Sequence, residues 1–132
     1  MLPNILRSLS VSLLVTVLAA GAAQAAPPAP ATKWRVTFSG QAASTGQIQF
    51  RVTPQSGAPI LVNVKITQGR GEFYIAKDLC EAFKSQLPKK IFKSEVVHGQ
   101  EVLVKAGPGE PGFALELVDS TVQGTHLHVA AG

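Results

Sequence analysis

Two alternate histidines, His126 and His128, are the sharpest chemical feature of this 132-residue chain. Alternate residues of a strand point to one face, so the pair could chelate a zinc or copper ion together. A closed site needs one or two further ligands, for which His98, Glu116 and Asp119 are available. The plainer reading is a solvent-facing pair on a terminal strand. Cys80 is the lone thiol. A thiol nucleophile needs a base and partial exposure. Cys80 instead falls on or beside the apolar stripe of a helix, and no local cysteine-hydrolase signature surrounds it. A buried structural thiol is expected; the alternatives are an intermolecular disulfide, giving a dimer through Cys80, and catalysis.

Charged residues offer a second kind of chemistry. Gln68-Gly69-Arg70-Gly71 could present backbone N–H groups and a guanidinium to an anion, though it lacks both the P-loop and the dinucleotide-binding spacing. Lys84, Lys89, Lys90 and Lys93 cluster around a helix end and, with Arg70, form a possible anion or partner patch. Some of them also complement the negative end of that helix. Asp78 and Glu81 lie three apart on the helix, but glycoside hydrolysis needs two carboxylates across a cleft, and no G-x-S-x-G elbow is present. No catalytic residue and no cofactor is assigned.

These side chains must be positioned by a small framework. With 45% hydrophobic and 15% charged residues the chain is too apolar for a disordered tail, and one cysteine builds neither a disulfide scaffold nor a zinc ribbon. Residues 1–25 read as a secretory signal peptide: Arg7 in the n-region, Val11–Ala20 as the apolar stretch, and Ala23-Gln24-Ala25 as the cleavage pattern. The protein is therefore expected in the periplasm or outside the cell, with no membrane span after cleavage. Residues 26–32 form a Pro/Ala-rich tether, and 33–132 a single globular domain. Trimming the leader leaves 11 basic against 8 acidic side chains. That excess is too small to predict nucleic-acid binding, which calls for a clustered basic face.

Hydrophobic periodicity supplies the elements. Trp34, Val36 and Phe38 alternate with polar residues, as do Ile48, Phe50 and Val52, and again Ile60, Val62, Val64 and Ile66. The last two runs, joined through Pro54–Pro59, predict an antiparallel hairpin. From Glu72 to Leu87 the period changes: Ile75, Ala76, Leu79, Ala82, Phe83 and Leu87 fall at helical spacing, and Pro88 ends the helix. Strand signals resume over Ile91–Val97 and Glu101–Ala106, then at Phe113, Leu115 and Leu117, expected inward, and over Thr125–Ala130. The expected fold class is α+β and β-rich, about seven short strands with one amphipathic helix packed on the sheet.

The stretch 60–129 resembles the beta-beta-alpha-beta-beta modules of the flagellin hook-in motif and of the inserted domains of phage tail sheath proteins. The resemblance lies in the strand Ile60–Ile66, the Gly-bearing turn, the helix with Ile75-Ala76, the hairpin HGQEVLVKA (His98–Ala106) and GFALELVDSTVQGTHLHV (Gly112–Val129). It implies that fold and a role in assembly or adhesion, and supplies no catalytic residue. The functional expectation is a small exported binding module of adhesion, assembly or inhibitor type, whose partner is a protein or an envelope polymer. The alternatives are a periplasmic metal-binding protein using His126 and His128 and, less favoured, a small secreted hydrolase.

Overall fold

Alternation of apolar and polar residues can bury only one face of each strand, so strands of this kind need a second layer to cover them. The computed structural model describes residues 28–132; the expected leader and residues 26–27 of the tether lie outside the described residues. In chain order the elements are β1 (Lys33–Ser39), β2 (Gly46–Pro54), β3 (Ile60–Ile66), α1 (Glu72–Gln86), β4 (Phe92–Val97), β5 (Glu101–Ala106), β6 (Phe113–Ser120) and β7 (His126–Ala131). Seven strands and one helix thus form a β-rich α+β fold, as the periodicity implies.

The strands divide between two antiparallel sheets, ordered β4-β5-β1-β7 and β3-β2-β6. The expected β2–β3 hairpin is present. The inward rows Trp34/Val36/Phe38, Ile48/Phe50/Val52 and Val62/Val64/Ile66 meet in one core cluster together with α1. The helix therefore does more than lie on a sheet. It joins β3 of one sheet to β4 of the other and packs against both, presenting buried Ile75, Ala76, Leu79, Cys80 and Phe83. Phe83 meets Phe50 at a ring-centroid distance of 5.5 Å, and Phe92 meets Phe113 edge-on at 5.0 Å. Trp34 donates its indole N–H to the carbonyl of Phe113 at 2.7 Å, tying β1 to the opposite sheet. Buried indole N–H groups need such a partner.

Helix α1 also closes the free edge of β3. The Gln86 side-chain amide accepts from the Asn63 N–H at 3.0 Å and donates to the Asn63 carbonyl at 2.8 Å, as a neighbouring strand would. At the other end Glu72 accepts the N–H of Gly40 at 2.7 Å. One inward assignment fails. Leu117 is 39% exposed rather than buried, because β6 carries a bulge: Leu117 pairs with Phe50 and Asp119 with Gln49, leaving Val118 as the extra residue. A bulge disrupts the ladder locally, bends its strand and re-aims the side chains at that point.

The helix contributes to the fold through a few large side chains, each worth about 1.5–3 kcal/mol when buried. Leu79→Ala is expected to cost about 3 kcal/mol in urea denaturation, as a buried leucine truncated against two layers should. A cost below about 0.5 kcal/mol would mean that the site collapses freely and that α1 is not part of the core.

Candidate functional site

The expected patch resolves into two separate places. Lys84 lies in the last turn of α1, Lys89 and Lys90 occupy the turn after Pro88, and Lys93 is on β4. Lys84, Lys89 and Lys93 line one open cavity of about 440 Å³ between the helix end and β4, over Phe83, Leu87 and Phe92. Strand register adds two lysines that spacing along the chain does not reveal. Lys93 lies opposite Lys105, and Lys105 opposite Lys33, so three lysines occupy one row of positions across β4, β5 and β1. Lys105 contacts Glu95 at 3.6 Å. Among the described residues Lys33, Lys84, Lys89, Lys90 and Lys93 make no ion pair. Like charges directly opposite one another in a sheet are destabilising.

Arg70 stands apart, at the opposite end of the helix. Its Nε and one terminal nitrogen donate to the Asp78 carboxylate at 3.0 and 2.6 Å, and its guanidinium lies 4.9 Å from the Tyr74 ring centre. Hydrogen bonding to Asp78 raises the Arg70 pKa further above its ordinary value, against a smaller opposing effect of burial. The backbone around it is also engaged: Gly69 N–H donates to Ala42, Arg70 N–H to Thr67, and the Arg70 carbonyl accepts from Ala42. Gln68-Gly69-Arg70-Gly71 is thus a strand-to-helix turn pinned to the loop after β1. Asp78 and Glu81 line a second open cavity of about 530 Å³ beside β3, with Asn63, Lys65 and Thr67. The bidentate Arg70 contact engages both oxygens of Asp78.

His126 and His128 are both exposed on β7, the edge of the four-stranded sheet. Leu127 and Val129 pack inward against the core. None of the three further ligands converges on them. His98 contacts Glu101 at 3.4 Å on the β4–β5 turn, two strands away. Glu116 bonds Arg51 at 3.0 Å on the other sheet, where Asp119 also lies. Among the described residues no group of three or more His, Cys, Asp or Glu side chains is placed to hold a metal.

Cys80 is 4% exposed, inside the core cluster. A disulfide between copies through this thiol would require the helix to leave the core, which corrects the alternative of a Cys80-linked dimer. Exposed aromatics are the feature the sequence reading passed over. Phe73 and Tyr74, 64% and 57% exposed, begin the helix, and Phe73 rests on Gly99, where a Cβ would collide with its ring. Only the three-dimensional placement of the β4–β5 turn reveals this contact. No helix among the described residues is long and apolar enough to cross a membrane.

No family model, no curated protein and no solved structure matches the chain.

Burial pushes the Cys80 thiol pKa up, with Lys84 opposing weakly. The native protein is therefore expected to react with Ellman's reagent at least about tenfold more slowly than the protein in guanidinium chloride, since the thiolate is the reactive form. The sign for stability follows: the unfolded thiol ionises first, so Cys80 favours the folded state below the ordinary thiol range and that contribution is lost as pH rises through the raised value. Rapid stoichiometric labelling of the folded protein would contradict this placement.

Proposed function

We propose that the chain is an exported, non-catalytic interaction module whose lysine-rich corner holds an anionic polymer of the cell envelope. The observation that carries this reading is the row Lys33–Lys105–Lys93, continued by Lys84 and Lys89 around one cavity. A folding domain gains nothing from aligning like charges across neighbouring strands. An anionic ligand turns the same arrangement into a favourable field, strongest at low ionic strength. The export signal and the tether support the envelope as its place of work, and the assembly or adhesion role implied by the family resemblance agrees with a polymer-binding part. Lysines on flexible stems suit a repeating, loosely defined polyanion better than one rigid small molecule.

The test is binding to polygalacturonate, a polymeric carboxylate, by isothermal titration calorimetry at low and high salt. Replacing Lys84, Lys89 and Lys93 together by Glu is expected to weaken binding by more than about tenfold and to flatten its salt dependence, as loss of a focused positive field should. Lys65→Glu with Lys77→Glu, which changes exposed lysines elsewhere on the surface, is expected to change it little. Equal losses from both sets would reduce the interaction to net charge alone.

A further inference from the structure

We propose that two copies of this chain join through the free edge of β7 and hold one zinc ion between His126 and His128 of each. The inference is independent of the lysine corner. It starts from how the four sheet edges are treated. Unpaired strand edges invite pairing with another chain and are ordinarily blunted by charge, bulges or covering elements. Here β3 is closed by the Gln86 amide on Asn63. Helix α1 packs against β4, which also carries Lys93 and Glu95. The β6 edge is interrupted by the bulge at Val118 and paired at Phe113 by Ala31. The β7 segment, HLHVAA, has no proline, no bulge and no Lys, Arg, Asp or Glu, and among the described residues it pairs with no strand other than β1.

The hydrogen-bonding phase of β7 fixes what a second copy would meet. Gly132 donates its N–H to the Lys33 carbonyl, so Lys33 and Gly132 form a bonded pair, and the alternation of antiparallel ladders assigns the rest. Ala130, His128 and His126 turn their backbone groups toward Arg35, Thr37 and Ser39 of β1. Leu127, Val129 and Ala131 turn theirs to the open edge. A two-fold pairing centred on Leu127 makes Leu127 bond to its counterpart in the second copy. It also sets His126 of each copy opposite His128 of the other in a non-bonded pair, the kind with the closest side chains, Cα atoms about 4.5 Å apart. Along each strand the two histidines are about 6.7 Å apart on the same face. Four imidazoles then surround one point above the sheet.

Two ligands per chain are too few for a closed zinc site, whereas four nitrogens complete the tetrahedron. No third ligand exists within the chain among the described residues, so the site is incomplete without a partner copy. The second copy also gives the half-buried Leu127 and Val129 an apolar surface to cover them.

Zinc titration of tag-free protein, followed by analytical ultracentrifugation and metal analysis, tests the assembly. The expected result is a zinc-dependent dimer with one zinc per two chains. His126→Ala and His128→Ala are each expected to abolish it and to weaken zinc binding by more than about 100-fold, beyond the effect of losing a mere supporting partner of a ligand. Leu127→Pro retains both histidines but removes an edge N–H that β1 does not use. With its circular dichroism unchanged, it is expected to lose the dimer as well. A one-to-one zinc complex that stays monomeric, no zinc binding at all, or a zinc-induced dimer that survives either histidine substitution would each overturn the proposal.

Discussion

The contact of Phe83 with Phe50, two wholly buried rings 5.5 Å apart, marks the constraint on which the rest of the molecule depends. Two sheets of three and four strands, each apolar on one face, can cover each other, but their β3 and β4 edges need a lid. Helix α1 is that lid, and the chain has no other helix among its described residues. Its position is fixed three times over: by the buried stripe Ile75–Leu79–Phe83, by Gln86 on the β3 edge, and by Glu72 on the Gly40 N–H. The two cavities that flank the helix follow from this placement, one on the β3 side and one on the β4 side. Moving the helix by one turn, about 5.4 Å, would unmake both.

Arginine and lysine divide the electrostatic work. Each of the three arginines among the described residues is held by a carboxylate: Arg35 by Glu101, Arg51 by Glu116 and Arg70 by Asp78. The first two pairs span neighbouring strands and the third fastens the turn before the helix. A planar guanidinium suits this role because it meets a carboxylate along fixed directions. Surface pairs of this kind contribute little stability individually, about 0–1 kcal/mol, but they consume the acidic groups nearest to them. Among the described residues most lysines are left without counter-charges, Lys105 beside Glu95 being the exception, and the strand register places Lys33, Lys105 and Lys93 in a row.

Much of the framework is legible along the chain because period two and period 3.6 are local properties. The run Lys33–Ser39 alternates without a break, and the strand there has the same bounds. The helix ends one residue before Leu87, whose N–H still reaches the Phe83 carbonyl. What could not be read is what depends on partners far away. Nothing near Lys33 or Lys105 announces that β1 pairs with β5, and nothing in Phe113–Ser120 announces that β2 will leave Val118 unpaired. The split into two sheets is equally non-local. The lysines near the helix end are legible as a cluster, whereas Arg70 precedes Glu72 and so sits a whole helix length away from them; grouping it with that patch overlooks the rise of about 1.5 Å per helical residue.

The same logic of edges connects fold to association. A closed barrel would have no free edge; a two-sheet arrangement has four, and each must be treated separately. Three are blunted by different means: an amide mimicking a strand, a packed helix with flanking charges, and a bulge with a short bridge. Because these devices are unrelated in sequence, their shared effect points to a common hazard, unwanted strand addition, rather than to a common origin. The strand that lacks such a device is also the one bearing two exposed imidazoles, side chains that ligate metals in their neutral form. On the proposal made above, such an edge is open conditionally: it pairs when a zinc ion held by both copies is present, and stays solvated when it is absent.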